Sequence, residues 1–191
     1  IGQISKGKIK SFEITAYGEL IKLDIEPLEV AILKGALSSI FHDVNYVNAP
    51  FLAKQRGIEI KIIKSEAPSS FTSLLKVKMT TDIETNSVSV SLIAKNIARI
   101  VKLNDYDVII KPNEHILIVP HINQVAMVAK VANTLCEENI NIGSMNVSQN
   151  IKGSDMSIMV IDIDTALSEE MLNKISKIEG VHNPKCIKLN V

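Results

Sequence analysis

Apolar and polar residues exchange every second or third position through residues 7–23, "GKIKSFEITAYGELIKL", with Ile9, Phe12, Ile14 and Ala16 as the apolar set. A short period of this kind marks a strand with one buried face, and Tyr17–Gly18 offers a turn, so the stretch predicts a β-hairpin. The period then lengthens. From Glu26–Pro27 onward Val30, Leu33, Leu37 and Ile40 recur at helical spacing, with proline suited to the first turn. Gly35 inside this helix predicts that another backbone lies close. Further strands are predicted at 58–64, 73–81, 87–94, 97–103 and 107–111.

"KPNEH" at 111–115 interrupts the strand pattern at Pro112–Asn113. The chain therefore reads as two domains, 1–112 and 113–191. In the second, the pattern gives strand 115–121, helix 124–138, strand 140–149, a turn at Lys152–Gly153, strand 155–163, helix 168–178 and strand 184–190. Val128, Val131, Leu135 and Cys136 share a face of the first helix, and Met171, Leu172, Ile175 and Ile178 a face of the second. The order βαββαβ is that of a ferredoxin-like sandwich. The fold class is α+β: a mixed α/β domain followed by a ferredoxin-like one.

Composition narrows the function. Lysine plus arginine equal aspartate plus glutamate at 21 each, which argues against a nucleic-acid partner. Hydrophobic residues make up 46% of the 191, but the apolar runs, such as "ILIV" at 116–119, are too short to span a bilayer. Cys136 and Cys186 are the two cysteines, and neither lies in a CxxC pair. A reduced, cytoplasmic setting is expected. The chain begins with isoleucine, so it is expected to be a piece of something longer. None of its eight glycines makes a GxGxxG or GxxxxGK loop. There is likewise no GxSxG elbow, no HExxH and no zinc-spaced Cys/His set, so no catalytic or metal site is predicted.

Two segments carry candidate chemistry. "VNYVNAPFLAKQRGIEI", 44–60, reads as a short helix with Asn48 as its N-cap, Pro50 in the first turn and Gly57 at the left-handed end. Asn48, Lys54 and Arg56 could present hydrogen bonds and positive charge to an anion, while an ion pair of Arg56 with Glu59 or Asp43 is the competing reading. The other segment holds His121 and Asn123 at the end of one strand and Asn141 at the start of the next. Asn123 could simply cap the following helix and Asn141 serve a turn. Their neutral or switchable side chains also suit the amino and carboxylate groups of a small amino acid. A helix of about 15 residues puts roughly 20 Å between its ends, so Asn123 and Asn141 of one chain cannot share such a ligand. Two chains paired along strand 140–149 would bring one copy's Asn123 to the other's Asn141.

At this point the chain resembles, over its whole length, the C-terminal regulatory part of the D-3-phosphoglycerate dehydrogenase family. The carriers are "VNxVNAxxLAxxRGI" at 44–58, "AILKGAL" at 31–37, and "INIGSMNVSQNIKGSDMSIMVIDID" at 140–164. The resemblance implies an allosteric substrate-binding domain followed by an ACT domain, a domain type that senses amino acids. It implies L-serine as effector at His121, Asn123 and a partner chain's Asn141, and a phosphate or carboxylate ligand near Arg56. It further implies a homo-oligomer joined through ACT domains, and NAD held by the rest of the full-length enzyme, with no cofactor in this piece. Where the family has x-Pro-Gly after the Asn, this chain has Gln124-Val125-Ala126. The competing hypothesis is a free-standing ACT-containing module serving another enzyme such as serine dehydratase. The reading frame upstream of Ile1 separates the two.

Overall fold

The computed structural model describes residues 1–67, 69–95 and 97–189. They form four α-helices and ten strands in an α+β fold, which divides into two compact units, Ile1–Arg99 and Ile100–Val191.

In the first unit, β1 (Ile9–Gly18) is the central strand. It pairs in parallel with β2 (Glu59–Ser65) and antiparallel with β3 (Ser73–Thr81), which pairs in turn with β4 (Thr85–Ala94). The helices α1 (Glu26–Leu37) and α2 (Ala49–Gln55) lie in the connection between β1 and β2. Parallel neighbours require such a crossover, since a tight turn can join only antiparallel strands. One core gathers Phe12 from β1, Leu33, Ala36 and Leu37 from α1, Ala49 and Ala53 from α2, and Val77 and Met79 from β3. The cross-strand partners Glu13–Lys78 and Thr15–Lys76 belong to the alternate residues of the pleat.

The predicted hairpin at 7–23 does not form. Gly18 turns the chain at φ +63, and Glu19–Lys22 make a 3₁₀ turn. The Glu19 N–H donates to the Thr72 carbonyl at 2.9 Å, and Leu20 packs on the small cluster of Ile14, Ala16 and Ile25. The apolar spacing of "ELIKL" thus served a turn anchored to a distant segment. Gly35 is likewise corrected: it is exposed, and no other segment comes within 4 Å of where a Cβ would stand.

In the second unit, β5 (Ile97–Leu103), which runs across the division, pairs antiparallel with β6 (Tyr106–Ile110). The ferredoxin-like elements follow as β7 (His115–Ile122), α3 (Met127–Glu137), β8 (Ile142–Gln149), β9 (Met156–Ile163), α4 (Glu169–Ser176) and β10 (Lys185–Lys188). The predicted end of the last strand, residue 190, lies outside the described residues. The sheet order is β10-β7-β9-β8. Leu117, Val119, Met159 and Ile161 meet Met127, Val131 and Leu135 of α3 and Met171 and Ile175 of α4. The face predicted for α3 is rotated, because Met127 rather than Val128 enters this core; Val128 and Cys136 are exposed.

Both faces of this sheet are buried at its centre. Ile116, Ile118, Ile158 and Val160, on the side away from the helices, are between 1% and 7% exposed. The β5–β6 ribbon belongs to the same unit: β6 packs against β8 and β9, and Tyr106 bridges Asn150. The Asp105 carbonyl accepts the Ile151 N–H at 2.9 Å, and its carboxylate meets Lys152 at 3.0 Å. The break expected at Pro112–Asn113 thus falls inside the second compact unit.

Candidate functional site

In the 44–60 segment the paired asparagines cap a helix reciprocally. The Asn45 side-chain oxygen accepts the N–H groups of Val47 and Asn48, both at 2.9 Å, and the Asn48 side-chain oxygen accepts the Asn45 N–H at 2.8 Å. This is the logic of a capping box, with asparagine at both ends. Asn48 stands at the N-cap position of α2 as predicted, but its side chain makes no capping bond to that helix; the side-chain cap is Asn45, whose turn runs directly into α2. The Asn48 amide nitrogen donates to the Asp43 carbonyl at 2.8 Å, so both ends of that side chain are engaged with backbone.

At the other end Gly57 adopts φ +65. The Gly57 and Ile58 N–H groups donate to the Lys54 and Ala53 carbonyls, both at 3.0 Å, which is a Schellman closure. It holds Arg56 at the helix terminus, where its guanidinium lies over the Phe41 ring, 4.5 Å from the centroid. Among the described residues Arg56 forms no ion pair, so neither Glu59 nor Asp43 neutralises it. Arg56 edges a cavity of about 80 Å³ walled by Ile9, Ile40, Phe41 and Ile58, with Lys8 also in its lining. Lys54 is exposed. Sequence reading missed Lys8 and Phe41. They lie on other segments, and no spacing links them to Arg56.

In the second unit His121 is 3% exposed, and its Nδ1–H donates to the Ile122 carbonyl at 2.8 Å. That carbonyl also accepts the Gln124 N–H at 2.9 Å. The histidine ring is therefore tied to the turn that leaves β7. Asn123 is exposed and held through its backbone, its N–H donating to the Asp155 carbonyl at 2.7 Å. It does not cap α3, which begins at Met127 behind Ala126. Asn141 is also exposed, with its N–H toward the Asp164 carboxylate at 3.3 Å. Neither the Asn123 nor the Asn141 side-chain amide is hydrogen-bonded among the described residues. Helix α3, 11 residues long and therefore about 16 Å, separates them in sequence. His121 and Asn123 sit together, and Asn141 stands apart.

Ala126 occupies the left-handed region at φ +68, ψ 2. A side chain there costs roughly 1 kcal/mol relative to glycine. Ala126→Gly is therefore expected to raise stability by about 0.5–1 kcal/mol, measured as a higher urea midpoint at unchanged slope. A lower midpoint would show that the methyl group packs usefully.

Among the described residues no cluster of three or more His, Cys, Asp or Glu could hold a metal ion, and no helix is long and apolar enough to cross a membrane.

A family model described as D-3-phosphoglycerate dehydrogenase intervening domain matches residues 1–104. The D-3-phosphoglycerate dehydrogenase of Synechocystis is 30% identical over 191 residues, covering 99% of this chain and 34% of that protein. That of Methanocaldococcus jannaschii is 30% identical over 188 residues, covering 98% and 35%. That of Bacillus subtilis is 27% identical over 190 residues, covering 99% and 36%. The chain thus spans about a third of the length of the curated relatives it matches.

Proposed function

The chain belongs to the D-3-phosphoglycerate dehydrogenase family, through its intervening domain, and from that premise we propose that it is the regulatory region of a cytoplasmic NAD-dependent dehydrogenase acting on 3-phosphoglycerate. The residues of this region bind and report, and the nucleotide and substrate are held by the remaining two-thirds of such an enzyme. NAD does not fit this chain: it has no glycine-rich phosphate loop.

The observation that carries the regulatory reading is the pair of unengaged amides. Asn123 and Asn141 stand exposed at the two ends of a ferredoxin-like unit whose strand β8 lies at the edge of its sheet. In this reading the second unit is an ACT domain. Two copies pair along β8 as a homodimer, and L-serine lies between them, held by His121 and Asn123 of one and Asn141 of the other. Side-chain amides supply both donors and acceptors, which a zwitterion needs when it leaves water. Edge strands invite such pairing, and Val147, 47% exposed, offers β8 an apolar contact. Calorimetric titration of the chain with L-serine tests this directly. A saturating heat is expected, and none at millimolar serine would leave the domain as a dimerisation element.

Arg56 supports a second binding role in the first unit, for a phosphate or carboxylate. Its planar fork is suited to bidentate oxyanions, and no carboxylate already occupies it. Arg56→Ala is expected to weaken phosphate or 3-phosphoglycerate binding at least tenfold, about 1.4 kcal/mol, with Arg56→Lys in between because charge remains without the fork. Equal binding by wild type and Arg56→Ala in the same titration would reduce Arg56 to its stacking on Phe41.

A further inference from the structure

Directly across the β7–β9 ladder from His121 stands Ser157. It is 1% exposed and His121 is 3% exposed. Cross-strand partners project to the same side of a sheet with their Cβ atoms about 5 Å apart. Yet His121 Nε2 and Ser157 Oγ are both buried with no hydrogen-bond partner, each other included. Two buried polar atoms on cross-strand partners are costly to leave unpaired.

The tautomer of the neutral ring is set by a neighbour. In the neutral ring Nδ1 carries the proton, since its contact is the Ile122 carbonyl, which can only accept. Nε2 is then an acceptor, and the serine hydroxyl can donate or accept. A group that bridges them must donate to Nε2. A carboxylate cannot do so, whereas an ammonium or a hydroxyl can. The pair also lies at the Asn123 end of the ladder, where the Asn123 N–H meets the Asp155 carbonyl just before β9. The turn tied to the histidine ring through the Ile122 carbonyl carries solvent-exposed Val125.

We propose that Ser157 is a further binding residue of the effector site, forming with His121 Nε2 an inner anchor for the ammonium or hydroxyl end of a small amino acid. The carboxylate end is left to the amides of Asn123 and the second copy's Asn141. The inference rests on the serine-sensing reading and specifies its orientation. The ligand reaches the anchor by displacing the 122–126 turn, whose Ala126 already holds a strained backbone.

The test is Ser157→Ala in the 191-residue chain, with Ser157→Cys as a variant that keeps the volume, beside Asn141→Ala. L-Serine is titrated into each, and melting is followed without ligand. Both Ser157 variants are expected to bind L-serine at least tenfold more weakly, while unliganded Ser157→Ala melts at or above the wild-type temperature because an unpaired hydroxyl has been removed. Dependence on Ser157 that persists with L-alanine assigns the ammonium to the anchor, and dependence that persists only with glycerate assigns the hydroxyl. If Asn141→Ala weakens binding but Ser157→Ala does not, the anchor is wrong and the sensing reading stands. A fall in the unliganded melting temperature of Ser157→Ala would overturn the anchor by revealing a structural bond or bound water. Absence of L-serine binding by wild type would overturn both.

Discussion

An equal mixture of Asn123→Ala and Asn141→Ala chains will bind L-serine with wild-type affinity at a fraction of its sites, although each variant alone binds at least tenfold more weakly. The single losses follow from the hydrogen bonds to a charged ligand, each worth about 1.5–3 kcal/mol when a partner is truncated. The recovery follows from symmetry. Under a two-fold each site takes Asn123 from one chain and Asn141 from the other, so a mixed dimer has one site with both asparagines and one with neither. Random exchange makes half the dimers mixed, so on the order of one site in four is restored. In one chain the two amides are at opposite ends of α3, so no rearrangement within a chain can mimic the effect. Calorimetry on the mixture, after denaturant-assisted exchange, reads the stoichiometry. A mixture no better than its components would place both asparagines in separate roles.

The largest stability effect is expected at Gly18. Its backbone, φ +63 and ψ −133, lies where non-glycine residues pay about 1–3 kcal/mol, and a Cβ there would sit on the Thr72 carbonyl oxygen. That carbonyl holds the Glu19 N–H, so backing away costs a hydrogen bond as well. Gly18→Ala should lose about 3 kcal/mol or more, a fall in melting temperature of roughly 15 °C for a unit of this size. Gly57→Ala is the comparison. At almost the same φ, +65, its Cβ would meet open space, and the loss should stay near 1 kcal/mol. Similar losses at both positions would mean that the Thr72 contact relaxes freely.

What could be seen in the sequence follows from how far each signal reaches. Helix α1 begins at Glu26 as predicted, because proline and apolar spacing are local. The βαββαβ order was legible for the same reason. The partners of β1 were not, because Ile9 pairs with Thr81 and Ser11 with Glu59, and nothing near Ile9 encodes either. The burial of β7 and β9 on both faces was present as the unbroken runs "ILIV" and "SIMVI", which mark strands covered on two sides. At the sites, the asparagines and Arg56 were visible through their neighbours in sequence. Phe41, Lys8 and Ser157 were not, because each enters by tertiary contact or ladder register alone.

The position of β1 also dictates an order of assembly. Both of its edges are zipped by strands that come later in the chain, β2 after two helices and β3 later still. During synthesis β1 finds its first partner only when residue 65 has emerged and its second only when residue 81 has followed, whereas β3 and β4 are joined by three residues and pair through a local turn. Long-range pairing of this kind is slow, because the loop entropy is lost before the contacts form. In refolding of the full chain the capture of β1 by a locally closed β3–β4 hairpin is the expected slow step, and substitutions in that hairpin should slow refolding more than equally destabilising ones in α2.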